Sequence, residues 1–267
     1  MNALAARRRH PAAIAILLLL GLALVGAAYS LLAPKPAQAA APSAAAAATA
    51  EDAALGRQLF LANCATCHGL SAEGTKSGPT LIGVGAASVD FQVGTGRMPL
   101  AGPNVQAPRI EQVKYTEEQI AALAAYVASL APGPAIPEGK EVTGETGNVA
   151  LGGEIYRVNC AMCHNFAGSG GALTRGKYAP SLYGVEGKYV YEAMLTGPQS
   201  MPVFNDTNIT PEGKASVIAY LNATMNQPNV GGMNLGNLGP VSEGMFIWIF
   251  GLLLMIACAF WLGQKAA

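Results

Sequence analysis

Two long apolar runs without charge lie near the two ends of the chain. The first covers residues 12–33 and the second covers residues 245–262. An α-helix rises about 1.5 Å per residue, so the first run would cross a hydrocarbon core of roughly 30 Å, and the second is near the short end of such a span. The pattern predicts an N-terminal anchor within residues 1–33 and a C-terminal transmembrane helix over residues 245–262.

The residues beside these runs predict how the chain lies in the cell membrane. Three arginines at positions 7–9 precede the first run, and Lys265 follows the second. Because basic flanks stay on the cytoplasmic side, we expect both termini in the cytoplasm and the region between the runs on the outer face. A cleaved signal peptide is the alternative for the first run, since residues 37–39 fit a cleavage site. That alternative also places the region between the runs outside.

The region between the runs contains one sequence unit twice. Residues 55–68 read LGRQLFLANCATCH, and residues 151–164 read LGGEIYRVNCAMCH. Each copy is followed by a Pro-x-Leu motif, then by Thr-Gly and Met-Pro. Each ends in a helical pattern that starts at Thr116 or Thr210, where a Glu in the first turn indicates an N-cap.

The repeat predicts an all-α protein with two tandem domains, at residues 51–131 and 148–225. Each has about 80 residues, and so small a domain usually needs a cross-link or a bound group in addition to apolar burial to be stable. The connecting segments are rich in Pro, Gly or Ala and lie at residues 34–50, 132–147 and 226–244.

The chemistry of the repeat lies in its two C-x-x-C-H motifs. In this motif two thiols can add across the vinyl groups of haem while the next residue, a His, ligates the iron. The residues concerned are Cys64, Cys67 and His68 in the first copy and Cys160, Cys163 and His164 in the second.

Three other uses of paired cysteines fit less well. A zinc ribbon would need its pairs much closer than Cys67 and Cys160. Structural disulfides would not need the two histidines, and a thioredoxin-like redox pair would lie in a βαβ pattern that is absent from the sequence. The duplicated motif therefore predicts two covalently bound haem c groups.

A methionine is the expected ligand on the other side of each iron. The chain has three histidines, and the third, His10, lies on the cytoplasmic side of the first run. Thioether sulfur is a soft ligand that favours ferrous iron and raises the reduction potential. Met98 is the one methionine between the first motif and the linker. In the second domain Met201 has the same Thr-Gly and Met-Pro context, and Met194 is the alternative.

Composition and charge exclude some classes of function. The chain has 16 Lys and Arg against 16 Asp and Glu, so it lacks the basic surplus of a nucleic-acid binder, and we expect no nucleic-acid partner. We expect the sparse basic residues of the repeat region to be solvated surface charges; they are Lys76, Arg97, Arg109, Lys114, Arg175, Lys177, Lys188 and Lys214.

Each domain resembles a class I cytochrome c. The matching features are a Gly-x-x-x-aromatic helix, C-x-x-C-H, Pro-x-Leu, Met-Pro and a last helix with a Tyr. The resemblance implies a small helical fold around a haem, with the first and last helices crossing at the Gly and aromatic positions. It also implies that the carbonyls of Pro79 and Pro180 accept a hydrogen bond from the ring of the axial His.

The whole arrangement is similar to the dihaem cytochrome c subunits of actinobacterial cytochrome bcc complexes. Residues 96–99 and 106–109 add to the similarity. The resemblance implies a subunit of a menaquinol–cytochrome c reductase, in which other subunits oxidise the quinol. Its partners would be cytochrome b, a Rieske iron–sulfur protein and a haem–copper oxidase in a supercomplex. The alternatives are a dihaem subunit of a cbb-type oxidase or membrane dehydrogenase, and a dihaem peroxidase, which would need a displaceable iron ligand.

Overall fold

The computed structural model describes residues 11–32, 49–102, 104–226 and 240–265. Helix α1, Pro11–Leu32, belongs to a separate compact unit. The elements that follow are α2 (Ala50–Asn63), α3 (Ala65–His68), α4 (Gly85–Gly94), α5 (Glu117–Leu130), α6 (Val149–Asn159), α7 (Ala161–His164), β1 (Gly171–Ala172), β2 (Tyr178–Ala179), α8 (Gly187–Thr196), α9 (Pro211–Asn226) and α10 (Pro240–Lys265).

The first repeat folds around the crossing of α2 and α5. Gly56 lies directly against the backbone carbonyl of Ala122, where a Cβ would overlap it. The rings of Phe60 and Tyr126 meet one turn away, with centroids 5.2 Å apart. Thr116 caps α5, because its Oγ1 accepts a hydrogen bond from Gln119 N at 3.3 Å. The predicted N-cap and the predicted helix crossing are therefore both present.

The second repeat uses the same crossing between α6 and α9. Gly152 lies against the carbonyl of Ser216, and the rings of Tyr156 and Tyr220 are 5.4 Å apart. Thr210 accepts a hydrogen bond from Gly213 N at 3.2 Å, as the sequence predicts for an N-cap. Each repeat thus has its own hydrophobic core.

One feature departs from the all-α prediction. Strands β1 and β2 pair antiparallel, Gly171 with Ala179 and Ala172 with Tyr178. The ribbon lies between His164 and Pro180, which are 16 positions apart, whereas His68 and Pro79 are 11 apart. The extra five residues are therefore taken up in a short hairpin without displacing Pro180 from the histidine.

The expectation that all the basic residues are solvated is wrong for Arg97 and Lys214. Lys214 is fully buried, and its ammonium donates to Asp206 Oδ1 at 2.6 Å and to Ile209 O at 2.8 Å. Arg97 is 8% exposed. The sequence pattern does not predict that such a charged side chain is buried, because its burial depends on which residues pack around it in the folded protein.

The two repeats pack on each other through α4 and α8. The ring of Phe91 lies edge-on to that of Tyr189, with centroids 6.4 Å apart. Lys188 Nζ lies 2.7 Å from Asp90 Oδ2 as an ion pair between the repeats. Glu192 lies in the same contact and is fully buried, and its oxygens lack a hydrogen-bond partner among the described residues. Burial disfavours an ionised Glu192, and the nearby Asp90 carboxylate would repel it, so the contact favours a proton on Glu192.

Glu192→Gln is expected to stabilise the fold increasingly as the pH rises. Burial, and secondarily the facing Asp90 carboxyl, raise the pKa of Glu192 to about 10, while Lys188 opposes them. The folded protein then holds a proton that the unfolded chain releases above the ordinary pKa of 4.5, so this group's stabilising contribution is lost progressively between that pKa and about pH 10. We expect a gain of about 2 kcal/mol at pH 8 and little at pH 5, measured by thermal unfolding.

The control for this prediction is Glu154→Gln on the exposed face of α6, which should change little at either pH. A Glu192→Gln protein that is destabilised equally at both pH values would show instead that Glu192 is ionised and paired with Lys188.

The C-terminal apolar run is a helix long enough to cross a membrane. Residues Glu243–Gln264 within α10 have a mean hydropathy of 2.5 over the most apolar window. At the other end α1 is helical, but its described apolar stretch, Leu18–Ala27, is shorter than a span. The N-terminal anchor therefore stays a prediction. The cleavage-site residues 37–39 and most of the 226–244 connector lie outside the described residues.

Candidate functional site

Each C-x-x-C-H motif forms one tight helical turn at the end of the first helix of its repeat. In α3, Cys67 N and His68 N both donate to Cys64 O, at 3.1 and 3.0 Å. In α7, Cys163 N and His164 N donate to Cys160 O at 3.1 and 2.9 Å. The same backbone bonds therefore place two thiols and an imidazole on one turn in both repeats.

Each motif histidine faces the carbonyl of the proline named by the resemblance. His68 Nδ1 is 2.8 Å from Pro79 O, and His164 Nδ1 is 3.0 Å from Pro180 O. A carbonyl oxygen only accepts, so the proton lies on Nδ1 and the lone pair of Nε2 is left for a metal ion. Close packing supports this geometry in the first repeat, because a Cβ on Gly78 would be 2.8 Å from Cys67 O.

The second motif opens into a large cavity, which we call the second cavity because it belongs to the second repeat. It has a volume of about 1240 Å³, counting its open mouth, and most of its lining is apolar. The predicted site residues on its wall are Cys160, Cys163, His164, Pro180 and Met201. Two thiols, an imidazole with a free Nε2 and a thioether around an apolar space are the donor set that a covalently attached haem requires, so the residues present fit that group.

The methionines differ in where they lie. Met98 is half-buried, packs against the same core as Cys64, and donates its N–H to Gln92 O at 2.9 Å. Met201 is half-buried at the second cavity, in the loop after α8, as Met98 is in the loop after α4. Met194 also lines that cavity, but it lies within α8 and is 2% exposed in the core. Met201 therefore has the position that corresponds to Met98.

Burial affects the ionisation of the motif side chains. It raises the pKa of Cys64 above its ordinary value and that of Cys160 to about 11, so both are neutral thiols. Burial also lowers the pKa of His164, although the Pro180 carbonyl opposes this, so the ring is neutral. A redox-active pair needs a lowered thiol pKa, which argues against a thioredoxin-like role.

The sequence did not reveal that the first repeat completes the second cavity. Arg97 and Arg109 line the same cavity as His164 and Met201. Two glutamines hold the repeats together here. The Gln106 amide donates to Tyr178 O at 2.8 Å and accepts from Tyr178 N at 2.9 Å.

The second glutamine makes the reciprocal contact. The Gln199 amide donates to Ala107 O at 3.0 Å and accepts from Ala107 N at 3.1 Å. The sequence alone indicated only that residues 106–109 are similar to the family, and that similarity did not assign a role to Gln106.

Comparison with protein-family models finds a cytochrome c domain in each repeat. Residues 53–131 match the family model for cytochrome c, and residues 147–221 match the model for cytochrome c oxidase, cbb3-type, subunit III. For the second repeat, this match identifies the type of domain, which is a cytochrome c domain.

Relatives match the chain over much longer stretches. A cytochrome bc1 complex cytochrome c subunit of Mycobacterium tuberculosis is 41% identical over 257 residues, covering 94% of this chain and 90% of the relative. One of Corynebacterium efficiens is 43% identical over 226 residues, covering 79% and 76%. A cbb3-type cytochrome c oxidase subunit of Azospirillum sp. is 30% identical over 53% of this chain and 52% of its own length.

These similarities, together with the motif geometry, establish two cytochrome c domains, each with a covalently bound haem c. The chain belongs to the family of cytochrome bc1 complex cytochrome c subunits.

Proposed function

We propose that this chain carries electrons from a Rieske iron–sulfur protein to a terminal haem–copper oxidase. It would do so on the outer face of the cell membrane as a subunit of a menaquinol–cytochrome c reductase. Cytochrome b and the Rieske protein would be its partners in the complex, and the oxidase its partner in a supercomplex. The quinol itself would be oxidised by other subunits.

The proposal includes the ligands of both irons. Cys64 and Cys67 would hold the first haem and Cys160 and Cys163 the second. The axial ligands would be His68 with Met98, and His164 with Met201. When bound, the haem supplies a one-electron couple. The chain orients each imidazole through a proline carbonyl, and it keeps the second site largely apolar, which favours the less charged ferrous form.

The observation that carries the proposal is the second cavity, where an imidazole with a free Nε2 and a thioether line the same apolar space. Two such ligands would fill the iron's coordination sphere, so substrate would have no open position. This favours outer-sphere electron transfer over the peroxidase alternative, which needs a displaceable ligand.

The membrane arrangement is part of the proposal. Residues 12–33 and 245–262 would both cross the bilayer, with both termini in the cytoplasm. Support comes from the 22-residue apolar stretch Glu243–Gln264 in α10 and from the basic residues outside each run.

Purification of the full chain in mild detergent tests this function. We expect a b-type cytochrome and an iron–sulfur protein to co-purify, and a menaquinol analogue to reduce the c-type haems in the purified complex. Oxygen should reoxidise them when the oxidase is present. Purification with oxidase subunits but without cytochrome b would support the cbb-type alternative. Rapid turnover of hydrogen peroxide by the wild-type chain would support the peroxidase.

A further inference from the structure

The cavity of the second domain is closed by a wall that belongs to the first domain. Five first-domain residues form this wall, and they are Phe91, Thr95, Arg97, Gln106 and Arg109. The reciprocal contacts of Gln106 and Gln199 hold the wall against the second domain. The haem of the second domain would therefore contact residues from both domains.

Arg97 is the unusual residue of this wall. It is 8% exposed, its Nη1 donates to Thr95 Oγ1 at 2.6 Å, and its guanidinium lies over the Phe91 ring at 4.7 Å. Neither Arg97 nor Arg109 forms an ion pair with an acidic side chain in the part of the chain that the structure describes. Arg109 places a second positive charge on the same wall.

A buried cation without a counter-ion is costly, so the site needs an anion. A haem carries two propionate carboxylates, and a guanidinium binds a carboxylate strongly through parallel N–H donors. The cavity that Arg97 lines is the one that contains the second C-x-x-C-H motif. The required anion therefore has a source at the site.

We propose that Arg97, with Arg109 beside it, binds a propionate of the second domain's haem. The second haem is then held covalently by its own domain and by ionic hydrogen bonds from the other. Because Arg97 directly precedes Met98, one short segment would border both haem sites. This inference rests on the proposed ligation of the second iron by His164 and Met201.

The test is a redox titration of the full chain carrying Arg97→Gln, Arg97→Lys or Arg109→Gln. Removing a positive charge beside the haem stabilises the ferric form. We expect Arg97→Gln to lower the reduction equilibrium constant of the second haem about tenfold, equal to about 59 mV. Arg97→Lys should shift it less, because the charge is kept. The resonance Raman bands of propionate bending should change in Arg97→Gln, which a purely structural role would not cause.

Two further variants are needed to interpret the titration. Met201→His marks which titration wave belongs to the second haem. Arg57→Gln, at an exposed position on α2, is the matched control and should leave both waves in place. If Arg97→Gln does not assemble, Arg97→Lys and Arg109→Gln still test the charge, with Arg109→Gln lowering the potential of the second haem.

An unchanged second wave with unchanged propionate bands in the charge-removing variants would overturn the inference while leaving both haems in place. A shift confined to the first haem would also overturn it, since Arg97 would then act through Met98. Failure of the proposed ligation looks different, because Met201→His would then leave both titration waves of the chain in place.

Discussion

Replacing Met201 with His is expected to lower the reduction potential of the second haem by on the order of 0.1–0.2 V, out of the roughly 0.8 V range that axial ligands cover. Thioether sulfur stabilises ferrous iron, whereas a second imidazole donates more electron density and favours the ferric form. A potentiometric titration of the full chain measures the change. The ferric spectrum should also lose the part of its far-red band that comes from sulfur bound to the second iron.

Met194→Leu is the matched control, because Met194 lines the same cavity but lies within the core on α8. It should keep both the potential and the far-red band. If Met194→Leu lost the band of the second haem and Met201→His kept it, the ligand assignment would be reversed. Met98→His should produce the corresponding drop in the first haem.

Gly152→Ala is expected to reduce the free energy of unfolding by about 3 kcal/mol. Helices α6 and α9 cross so closely at this position that a Cβ would overlap the carbonyl of Ser216. Backbone cannot rotate away as a side chain can, so the helices would have to separate and the rings of Tyr156 and Tyr220 would lose contact. Thermal unfolding followed by circular dichroism in the haem absorption band measures the loss.

Gly153→Ala, one residue along the same helix, is the control. Its Cβ would lie 3.1 Å from the end of Arg157 and from the ring of Tyr220, which can both shift, so the cost should be below about 1 kcal/mol. Gly56→Ala should behave as Gly152→Ala does, because Gly56 meets Ala122 in the same way. Equal losses for Gly152→Ala and Gly153→Ala would mean that helix propensity, and not the close crossing, determines the effect.

The local features of each repeat were predictable from sequence. The caps at Thr116 and Thr210 depend on residues a few positions apart, so their signals lie within short windows. The Gly and aromatic crossing was available from the family resemblance. The short hairpin between His164 and Pro180 was not predicted, because it appears in the sequence only as a longer gap.

The contact between the repeats was not predictable in the same way. Asp90 and Lys188 are far apart in sequence, and neither lies in a periodic pattern. From the sequence, Arg97 and Lys214 were expected to be ordinary surface charges. Their burial depends on how α4, α8 and α9 pack. The contribution of Arg97 to the second cavity follows only once the two repeats are placed side by side.

The most direct test of the central claim is mass spectrometry of peptides from the purified full chain. The claim is that haem is covalently attached at both motifs through their cysteine sulfurs. We predict that the peptide with Cys64 and Cys67 and the peptide with Cys160 and Cys163 are each heavier than their amino acids by one haem. Recovery of either peptide at its unmodified mass, from protein isolated with its native maturation system, would contradict the account.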